Sequence, residues 1–253
     1  MSQVSGVVVK TAHDSIGELS DAHCHLELFA DPELAVKDAN SGGVGIIITA
    51  GGTPEGNLGA MAVSKYDGVF GVIGIDPSSV SRQGGVEDIK DIISRNRKII
   101  GIGEIGLDSK FLRDYGLKQQ KQLFAEQIEI AKGIGVPVVV HCRGMMDEAI
   151  KVIEEYRDVR FMMHFFDGTL EQAELLSRMG NLISIPTAIT SNRKKVIKHL
   201  GIDNIVVETD SPVVGRSPSD VKGTIELISK MKNISFYDVA SMITKNLKRF
   251  FYI

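Results

Sequence analysis

The chain has 253 residues, of which 43% are hydrophobic and 24% charged, and this composition excludes an intrinsically disordered protein. The net charge of −3 excludes a strongly basic protein that wraps duplex nucleic acid without sequence preference. Two cysteines, Cys24 and Cys142, are too few for a disulfide framework, so we expect a cytoplasmic location. No apolar run reaches the ~20 residues that span a bilayer and residues 1–10 lack a secretory signal, so we expect no membrane partner.

Short β-branched runs alternate with amphipathic helical stretches along the chain. The runs predict eight strands, at residues 18–25, 43–51, 69–77, 98–108, 136–143, 159–166, 181–189 and 204–212. The stretches between and after them predict helices at residues 32–41, 54–66, 86–97, 116–134, 145–156, 170–179, 192–200, 219–231 and 235–251. The sequence therefore repeats a strand followed by a helix.

Several of the predicted strands are apolar without alternation, such as residues 44–48 (VGIII) and 137–140 (PVVV), which is typical of strands buried on both faces. Alternating strands and helices predict a parallel sheet joined by crossover helices. Eight such units in 253 residues favour closure into a single α/β domain, a (β/α)8 TIM barrel spanning residues 1–253. The alternative is an open doubly wound sheet, which would carry a phosphate-binding glycine turn after its first strand.

In place of such a turn, the first predicted strand ends in Asp21-Ala22-His23-Cys24-His25. Side chains two residues apart on a strand point to one face, so His23 and His25 project together and Asp21 lies behind them. Two neutral imidazoles at a strand end can hold one divalent metal ion. By itself, this spacing is equally compatible with a pair of hydrogen-bonded structural histidines.

Four further candidate ligands lie at or near the carboxyl ends of other predicted strands: Glu104, His141, His164 and Asp210. These ends converge on one mouth of a (β/α)8 barrel, where catalytic residues lie. The other histidines of the sequence, His13 and His199, do not end a strand, and we expect both to be solvated. The sequence therefore predicts a metal centre at the mouth.

The donor set suits a centre of two divalent ions. We expect one ion on the two first-strand histidines and Asp210, a second on His141 and His164, and Glu104 as a bridge, because a carboxylate offers two oxygens. A divalent ion lowers the pKa of a bound water toward about 7, and Asp210 would accept the proton that the water loses. Two ions carry four positive charges, of which Glu104, Asp210 and a hydroxide would cancel three. A net positive centre remains for a phosphodiester oxygen.

Residues beside the candidate ligands suggest supporting roles. Arg143 lies two residues after His141 and would face the same mouth, where a guanidinium pairs with phosphate; a surface ion pair is the alternative. Asp21 would hydrogen-bond a ligating histidine. Asp108 would either face the mouth or stabilise a turn after Gly106. The two cysteines are opposite in phase to the ligands, and we expect them to be buried, unreactive thiols.

Together these segments resemble the TatD family of metal-dependent deoxyribonucleases, within the amidohydrolase superfamily. The matching segments are residues 21–26 (DAHCHL), 103–108 (GEIGLD), 120–144, 163–168 (MHFFDG), 208–212 (ETDSP) and 246–250 (NLKRF). The resemblance spans nearly the whole chain in the family's order. It implies the six metal positions in the roles given above, with Zn, Mg or Mn as the ion. It also implies hydrolysis of phosphodiester bonds in DNA, at single-stranded ends.

Four positions depart from the family's pattern. Asp76 stands where the family has the histidine of Gly-x-His-Pro, and Asp167 stands where it has the serine of Phe-Ser-Gly. Ser109 replaces a common aromatic residue, and residues 216–218 (RSP) shorten an Arg-Asn-x-Pro segment. All six metal positions remain, so hydrolysis is the expectation. The two added carboxylates leave the substrate open.

Three functions are compatible with these features. The first is a deoxyribonuclease that uses Glu104 and Asp210 for catalysis and Arg143 for substrate binding. The second is a metallohydrolase of another substrate class, a small phosphoester, amide or lactone, on the same two-metal site. The third is a barrel without enzymatic activity that binds a metabolite or partner, against which the full set of metal ligands argues. No obligate protein partner is evident.

Overall fold

The structure is a computed structural model that describes residues 19–253, apart from the side chains of residues 82–85 and 87. Eight parallel strands follow one another around a barrel in chain order: β1 (Leu19–Cys24), β2 (Val44–Gly52), β3 (Val69–Ile75), β4 (Ile99–Asp108), β5 (Val138–Arg143), β6 (Phe161–Met163), β7 (Leu182–Pro186) and β8 (Ile205–Glu208). The predicted α/β fold, a single (β/α)8 barrel, is confirmed.

Helices follow the strands on the outside of the barrel: α1 (Pro32–Ser41), α2 (Pro54–Val63), α3 (Val86–Arg95), α4 (Leu112–Ile134), α5 (Met146–Glu155), α6 (Leu170–Arg178), α7 (Ser191–His199), α8 (Val221–Lys232) and α9 (Phe236–Phe251). Each predicted helix is present, with ends that differ by a few residues. A 3-10 segment after β3, Pro77–Gly85, was not predicted. Within residues 19–253, no helix has both the length and the hydropathy that a bilayer crossing requires.

β6 and β8 are shorter than the sequence runs that predict them. The predicted runs extend to residues 166 and 212, whereas the strands end at Met163 and Glu208. Phe165 and Asp210 take left-handed backbone conformations, with φ of 47° and 51°, and a left-handed residue cannot continue a strand. The hydrophobic run therefore continues into a loop, which turns over the mouth of the barrel.

Polar side chains define where several helices begin. In each case the side chain before the first turn accepts a hydrogen bond from a backbone N–H three residues later, as a helix N-cap does. These residues are Asp31 before α1, Thr53 before α2, Thr169 before α6 and Ser235 before α9. α1 and α2 also have proline at their first position, which fixes the backbone angle that a helix start needs.

β1 and β8 close the barrel at its carboxyl end. The backbone N–H of Asp210 donates to His23 O at 2.9 Å, and His25 N–H donates to Ser211 O at 2.7 Å. Beneath these bonds the buried Asp21 carboxyl group accepts from Thr209 N–H at 3.0 Å and hydrogen-bonds the Thr209 hydroxyl. The seam of the barrel is therefore formed by the two segments that carry three of the predicted metal ligands.

A buried amide ties α2 to the ends of β2 and β3. Asn57 Nδ2 donates to Gly74 O at 2.8 Å, and Asn57 Oδ1 accepts from the backbone N–H groups of Gly52 and Gly74, each at 3.1 Å. A Cβ at Gly51 would lie 2.0 Å from Asn57 Oδ1, so only glycine admits the helix this close. One side chain therefore satisfies three backbone groups where the strands separate.

Two glutamines of α4 do the same for β3 and β4. Gln127 accepts from Ile75 N–H at 2.8 Å and donates to Ile75 O at 3.0 Å. Gln120, two turns earlier, accepts from Asp108 N–H at 2.8 Å and donates to Asp108 O at 3.1 Å. Both amides are buried, so no water competes for these bonds. α4 therefore fixes the positions of the last residues of β3 and β4 at the mouth of the barrel.

We predict that Asn57→Leu destabilises the barrel although it preserves side-chain size. The change leaves two N–H groups and one carbonyl buried without partners, each of which costs about 1–3 kcal/mol, so the free energy of unfolding should fall by about 3 kcal/mol or more. Urea denaturation followed by circular dichroism measures the loss. Leu58→Asn, at a neighbouring position of α2 that is 67% exposed, is the control and should change stability by less than about 0.5 kcal/mol. Equal stability of the two variants would show that the amide contributes nothing.

Candidate metal centre

The six predicted ligands lie together at the mouth of the barrel. His23, Glu104 and His141 are strand residues, and the other three follow a strand directly or by two residues: His25 after β1, His164 after β6 and Asp210 after β8. Five of the six side chains are at most 13% exposed. The sixth, His141, is 27% exposed. The structure thus gathers residues that are separated by up to 187 positions in sequence.

Glu104 lies at the centre of this group and presents one oxygen to each half of it. Its Oε1 is 3.9 Å from His23 Nε2 and 3.7 Å from His25 Nε2. Its Oε2 is 2.8 Å from His141 Nδ1 and 3.3 Å from His164 Nε2. The two oxygens of a single carboxylate therefore face different histidine pairs, which is the arrangement that a bridging ligand needs.

A glycine in β4 makes this approach possible. Gly106 has φ of 145°, and a Cβ there would lie 2.0 Å from His141 O. Any other residue would push β4 away from β5, because a Cβ atom cannot approach a carbonyl oxygen to that distance. The register pairs Gly106 with His141. Because Gly106 has no side chain, β4 and β5 lie close enough for Glu104 to contact His141.

Asp210 completes the half of the centre near β1. Its Oδ1 lies 3.3 Å from His25 Nε2 and 3.9 Å from His23 Nε2. Among the described residues, two groups offer ligand atoms within 4.8 Å of one another: His23, Glu104 and His164 in one, and His23, His25 and Asp210 in the other. His141 belongs to neither group.

Several of these ligand atoms are buried without a hydrogen-bond partner. Both ring nitrogens of His23 and Oδ1 of Asp210 are in this condition within the described part of the chain. A polar atom buried in this way costs free energy, and a cation between His23 Nε2 and Asp210 Oδ1, which lie 3.9 Å apart, would remove that cost for both atoms. Imidazole and carboxylate donors suit Zn, Mn, Fe and Co. The residues at the mouth therefore fit a divalent ion.

A second layer of oxygen atoms orients the histidines. His25 Nδ1 is 3.1 Å from Ala50 O, and His141 Nε2 is 3.1 Å from Asp108 Oδ2. Asp108 Oδ1 also accepts from Lys110 N–H at 2.7 Å, so the residue both faces the mouth and stabilises the turn. Such partners fix which ring nitrogen carries a proton and which is available as a ligand. In His25 the Nε2 atom is left to face the centre.

Glu208 is a residue of this layer that the sequence analysis missed. It is fully buried, and its Oε1 lies 3.0 Å from His164 Nδ1 while it accepts from Phe165 N–H at 2.7 Å. The His164–Glu208 contact is close, although its angles are outside those of a hydrogen bond. The signal was available, because Glu208 is two residues before Asp210 and so shares its face of the strand.

Asp21 has a different role from the predicted one. We expected its carboxylate to hydrogen-bond a ligating imidazole, but it bonds the backbone N–H of His23 at 3.3 Å and Thr209 across the seam. Burial raises the pKa of Asp21 well above its usual value, against the hydrogen bonds from Thr209, which lower it. Asp21 therefore positions the backbone of the metal centre rather than a histidine ring.

The charges at the centre are divided between neutral and ionised groups. Burial alone would raise the pKa of Glu104, but His164 and His141 outweigh it and hold the pKa well below its usual range. Burial, reinforced by His164, lowers the pKa of His23 well below that of a free imidazole. Burial opposes protonation of His141 too, but Asp108 and Glu104 raise its pKa to about 10. Glu104 and His23 therefore offer a metal ion an anionic carboxylate and a neutral imidazole, whereas His141 would have to lose its proton to bind one.

A cavity of about 750 Å³ opens from the centre toward solvent. Its inner wall includes His141, His164 and Asp210, and its rim includes Arg143. Arg143 is exposed, and no carboxylate in the described part of the chain lies within ion-pair distance of it, so its guanidinium is available to an anion. Within residues 19–253, the alternative of a surface ion pair for Arg143 is therefore not seen.

The two carboxylates that depart from the family's pattern have different surroundings. Asp76 turns into its own loop, where Oδ1 accepts from Ser78 N–H at 2.8 Å and bonds the Ser78 hydroxyl. Asp167 lines the cavity, is about two-thirds exposed and lies 3.5 Å from Arg193 Nη2. Of these two carboxylates, Asp167 is therefore the one that adds negative charge to the cavity wall.

The remaining predictions concern the cysteines and the other histidines. Cys24 is buried, and burial raises its pKa well above the usual value. Cys142 is half-buried at the cavity wall, and burial raises its pKa to about 12, so both are thiols at neutral pH. His199 is exposed at the end of α7, as predicted, and His13 lies outside the described residues.

Comparison with known proteins gives the family. A model of the family described as TatD related DNase matches residues 20–252. An uncharacterized metal-dependent hydrolase of Methanocaldococcus jannaschii, MJ1582, is 32% identical over 91% of this chain and 96% of its own length. The human protein named deoxyribonuclease TATDN3 is 31% identical over 66% of this chain and 62% of its own. The crystal structure of YjjV, a TatD homolog from Escherichia coli K12, matches with a TM-score of 0.86 at 24% identity, covering 93% of this chain and 98% of that one.

The family model covers almost all of the described chain, including every strand that contributes to the metal centre. The solved structure supports the barrel fold. The metal-dependent hydrolase predicted from the sequence is thereby confirmed, and the chain belongs to the TatD-related DNase family.

Proposed function

We propose that this protein is a deoxyribonuclease that uses two divalent ions per chain to hydrolyse phosphodiester bonds at single-stranded DNA ends. The observation that carries the proposal is the position of Glu104, whose two oxygens face two separate pairs of histidines. Arg143 on the rim of the same cavity supplies a cation for phosphate. The human relative named as a deoxyribonuclease supports DNA as the substrate.

Each ion would be held by residues that already lie around it. His23, His25 and Asp210 would hold the first, His141 and His164 would hold the second, and Glu104 would bridge them. For His141 this requires its Nδ1 to exchange the direct contact with Glu104 for the ion. Bound there, Zn, Mg or Mn would lower the pKa of a water molecule and stabilise negative charge on the phosphoryl oxygens.

The side chains of the chain itself bind the substrate and move protons. Arg143 would pair with a phosphate oxygen, with the planar geometry that suits two parallel hydrogen bonds. Asp210 Oδ1, which is buried without a partner, would accept the proton that the attacking water loses. Asp108 and Glu208 would hold the rings of His141 and His164 in place. As the bond between phosphorus and the leaving oxygen breaks, that oxygen would take up the proton that Asp210 accepted or one from solvent, so the hydrolysis balances.

Hydrolysis of a small phosphoester, amide or lactone is the second candidate. Asp167 on the cavity wall favours it, because a carboxylate there opposes a polyanion. A panel of single-stranded oligonucleotides, small phosphoesters, lactones and dipeptides separates the candidates by their kcat/KM.

Cytoplasmic location is retained as part of the proposal, since the chain's thiols are compatible with a reducing compartment.

We predict that Glu104→Gln and Asp210→Asn each lower kcat/KM on single-stranded DNA by about 100-fold or more, because each removes a charged ligand from the centre. Asparagine tolerates the left-handed backbone at position 210, so that variant should fold. The assay is release of nucleotides with added Mn²⁺, and EDTA should abolish it. Glu33→Gln, at an exposed position on α1, is the matched control. Parental rates in either variant would place the activity elsewhere.

We predict that Glu208→Gln weakens metal binding by about 10- to 100-fold, because His164 loses the carboxylate that fixes its ring. The measurement is competition for Zn²⁺ with a chromophoric chelator, together with metal content after dialysis. A thermal melt of the metal-free protein separates this effect from unfolding. Unchanged affinity in a folded variant would show that Glu208 only caps the Phe165 loop.

We predict that Arg143→Ala raises KM for DNA by about 10-fold with a smaller change in kcat, since the lost contact is to a phosphate outside the bond that breaks. Arg143→Lys should recover part of the affinity because it keeps the charge but loses the two-pronged geometry. The dependence of KM on salt should also become shallower in Arg143→Ala. A loss confined to kcat would contradict this role.

A further inference from the structure

Phe165 is an aromatic residue at the mouth that the proposed reaction does not use. It follows His164 directly, is half-buried, and lines the same cavity as His141 and Asp210. The centroids of the His164 and Phe165 rings are 5.8 Å apart. Its φ of 47° is a left-handed conformation, which is costly for a bulky residue and common at functional sites.

Arg193 supports the Phe165 ring from behind. Its guanidinium carbon lies 4.6 Å from the ring centroid. Arg193 is 3% exposed, and backbone carbonyls fix its nitrogens: Nε donates to Phe166 O at 2.7 Å and Nη1 to Ala188 O at 2.6 Å. Phe165 lines the cavity and Arg193 does not, so the guanidinium packs over the ring from outside the cavity. The ring is therefore a rigid platform held from one side.

Two exposed valines line the same cavity from another loop. Val213 and Val214 follow Asp210, and they are 62% and 45% exposed. Exposed valines beside polar ligand residues cost solvation free energy unless something apolar covers them. With Phe165 they give the cavity an apolar portion next to the metal centre. A flat, weakly polar group fits such a place, because an aromatic platform and aliphatic side chains both contact its faces.

We propose that Phe165, Val213 and Val214 form a slot for the nucleobase of the terminal nucleotide, whose phosphate lies at the metal centre. This inference rests on the proposed function and adds the part of the substrate that the protein recognises. Stacking on an aromatic ring accepts every base, because each has a π-face. The slot therefore gives affinity for a nucleotide end without sequence preference.

The acidic residues of the cavity agree with a single nucleotide in the slot. Asp147 and Asp167 are exposed and line the cavity, where they would repel further phosphates of a strand that continued through it. Gln172 Nε2 donates to Asp147 Oδ1 at 2.6 Å, which holds that carboxylate in position. One base and one phosphate therefore enter, and the rest of the strand remains outside.

The test compares ligands that differ only in the base. Isothermal titration calorimetry with the Mn²⁺-loaded full chain measures binding of deoxyadenosine 5′-monophosphate and of 2-deoxyribose 5-phosphate. We expect the nucleotide to bind about 10-fold or more tightly than the sugar phosphate. Phe165→Ala and Phe165→Leu should remove that difference, and Phe165→Tyr should keep it. Tyr237→Ala, an exposed aromatic on α9 away from the cavity, is the control and should behave as the parent.

The outcomes separate the slot from the proposed nuclease. Equal affinity of the parent for the two ligands, or a base preference that survives in Phe165→Leu, overturns the slot even if DNA is hydrolysed. A base preference that Phe165→Leu abolishes supports the slot even if no DNA is cleaved, in which case the proposed deoxyribonuclease function fails alone. Thermal melts and metal content of each variant identify a folding defect, and Phe165→Leu and Phe165→Tyr carry the test if Phe165→Ala is unstable.

Discussion

The seam between β1 and β8 is the contact on which the metal centre depends. Asp210 N–H donates to His23 O, and His25 N–H donates to Ser211 O. The hydrogen bonds that close the barrel therefore also place three of the metal ligands. Asp21 strengthens the seam from below through Thr209, in a place without water. These bonds bring the segment after β8 against the end of β1, and the carboxyl ends of the strands then converge on one mouth.

Within that mouth, Glu104 organises the charges. A single buried carboxylate lies between histidines from β1, β5 and the β6 loop, and their proximity keeps it ionised against the cost of burial. His23 stays neutral because burial and His164 disfavour a second cation nearby. The ring nitrogens of His23 and Oδ1 of Asp210 are buried at this mouth without hydrogen-bond partners. If these atoms had hydrogen-bond partners, the partners would occupy the place of a cation. The free-energy cost of burying them unsatisfied is therefore what makes the site fit for a metal ion.

The wall of the cavity above the centre has cationic, apolar and anionic parts. Arg143 offers a cation, Phe165 and the two valines after Asp210 offer an apolar surface, and Asp167 offers negative charge. Such a mixture suits an amphipathic ligand with one anionic end and one planar end better than a uniform polyanion. The left-handed turns at Phe165 and Asp210 end β6 and β8 early, and the loops that begin there line the cavity.

The sequence by itself determined the strands, the helices and the six candidate ligands, because buried strands are apolar runs and polar residues at their ends stand out against them. It also determined the phase of His23 and His25, which follows from alternation along a strand. Only the tertiary structure decided that Asp21 bonds the seam instead of an imidazole, that Glu208 lies against His164, and that Asp76 turns into its own loop. It also decided that Phe165 has an arginine behind it. Apart from the bonds between Asp76 and Ser78, these contacts join residues distant in sequence, and their partners are chosen by packing and burial, which no local pattern encodes.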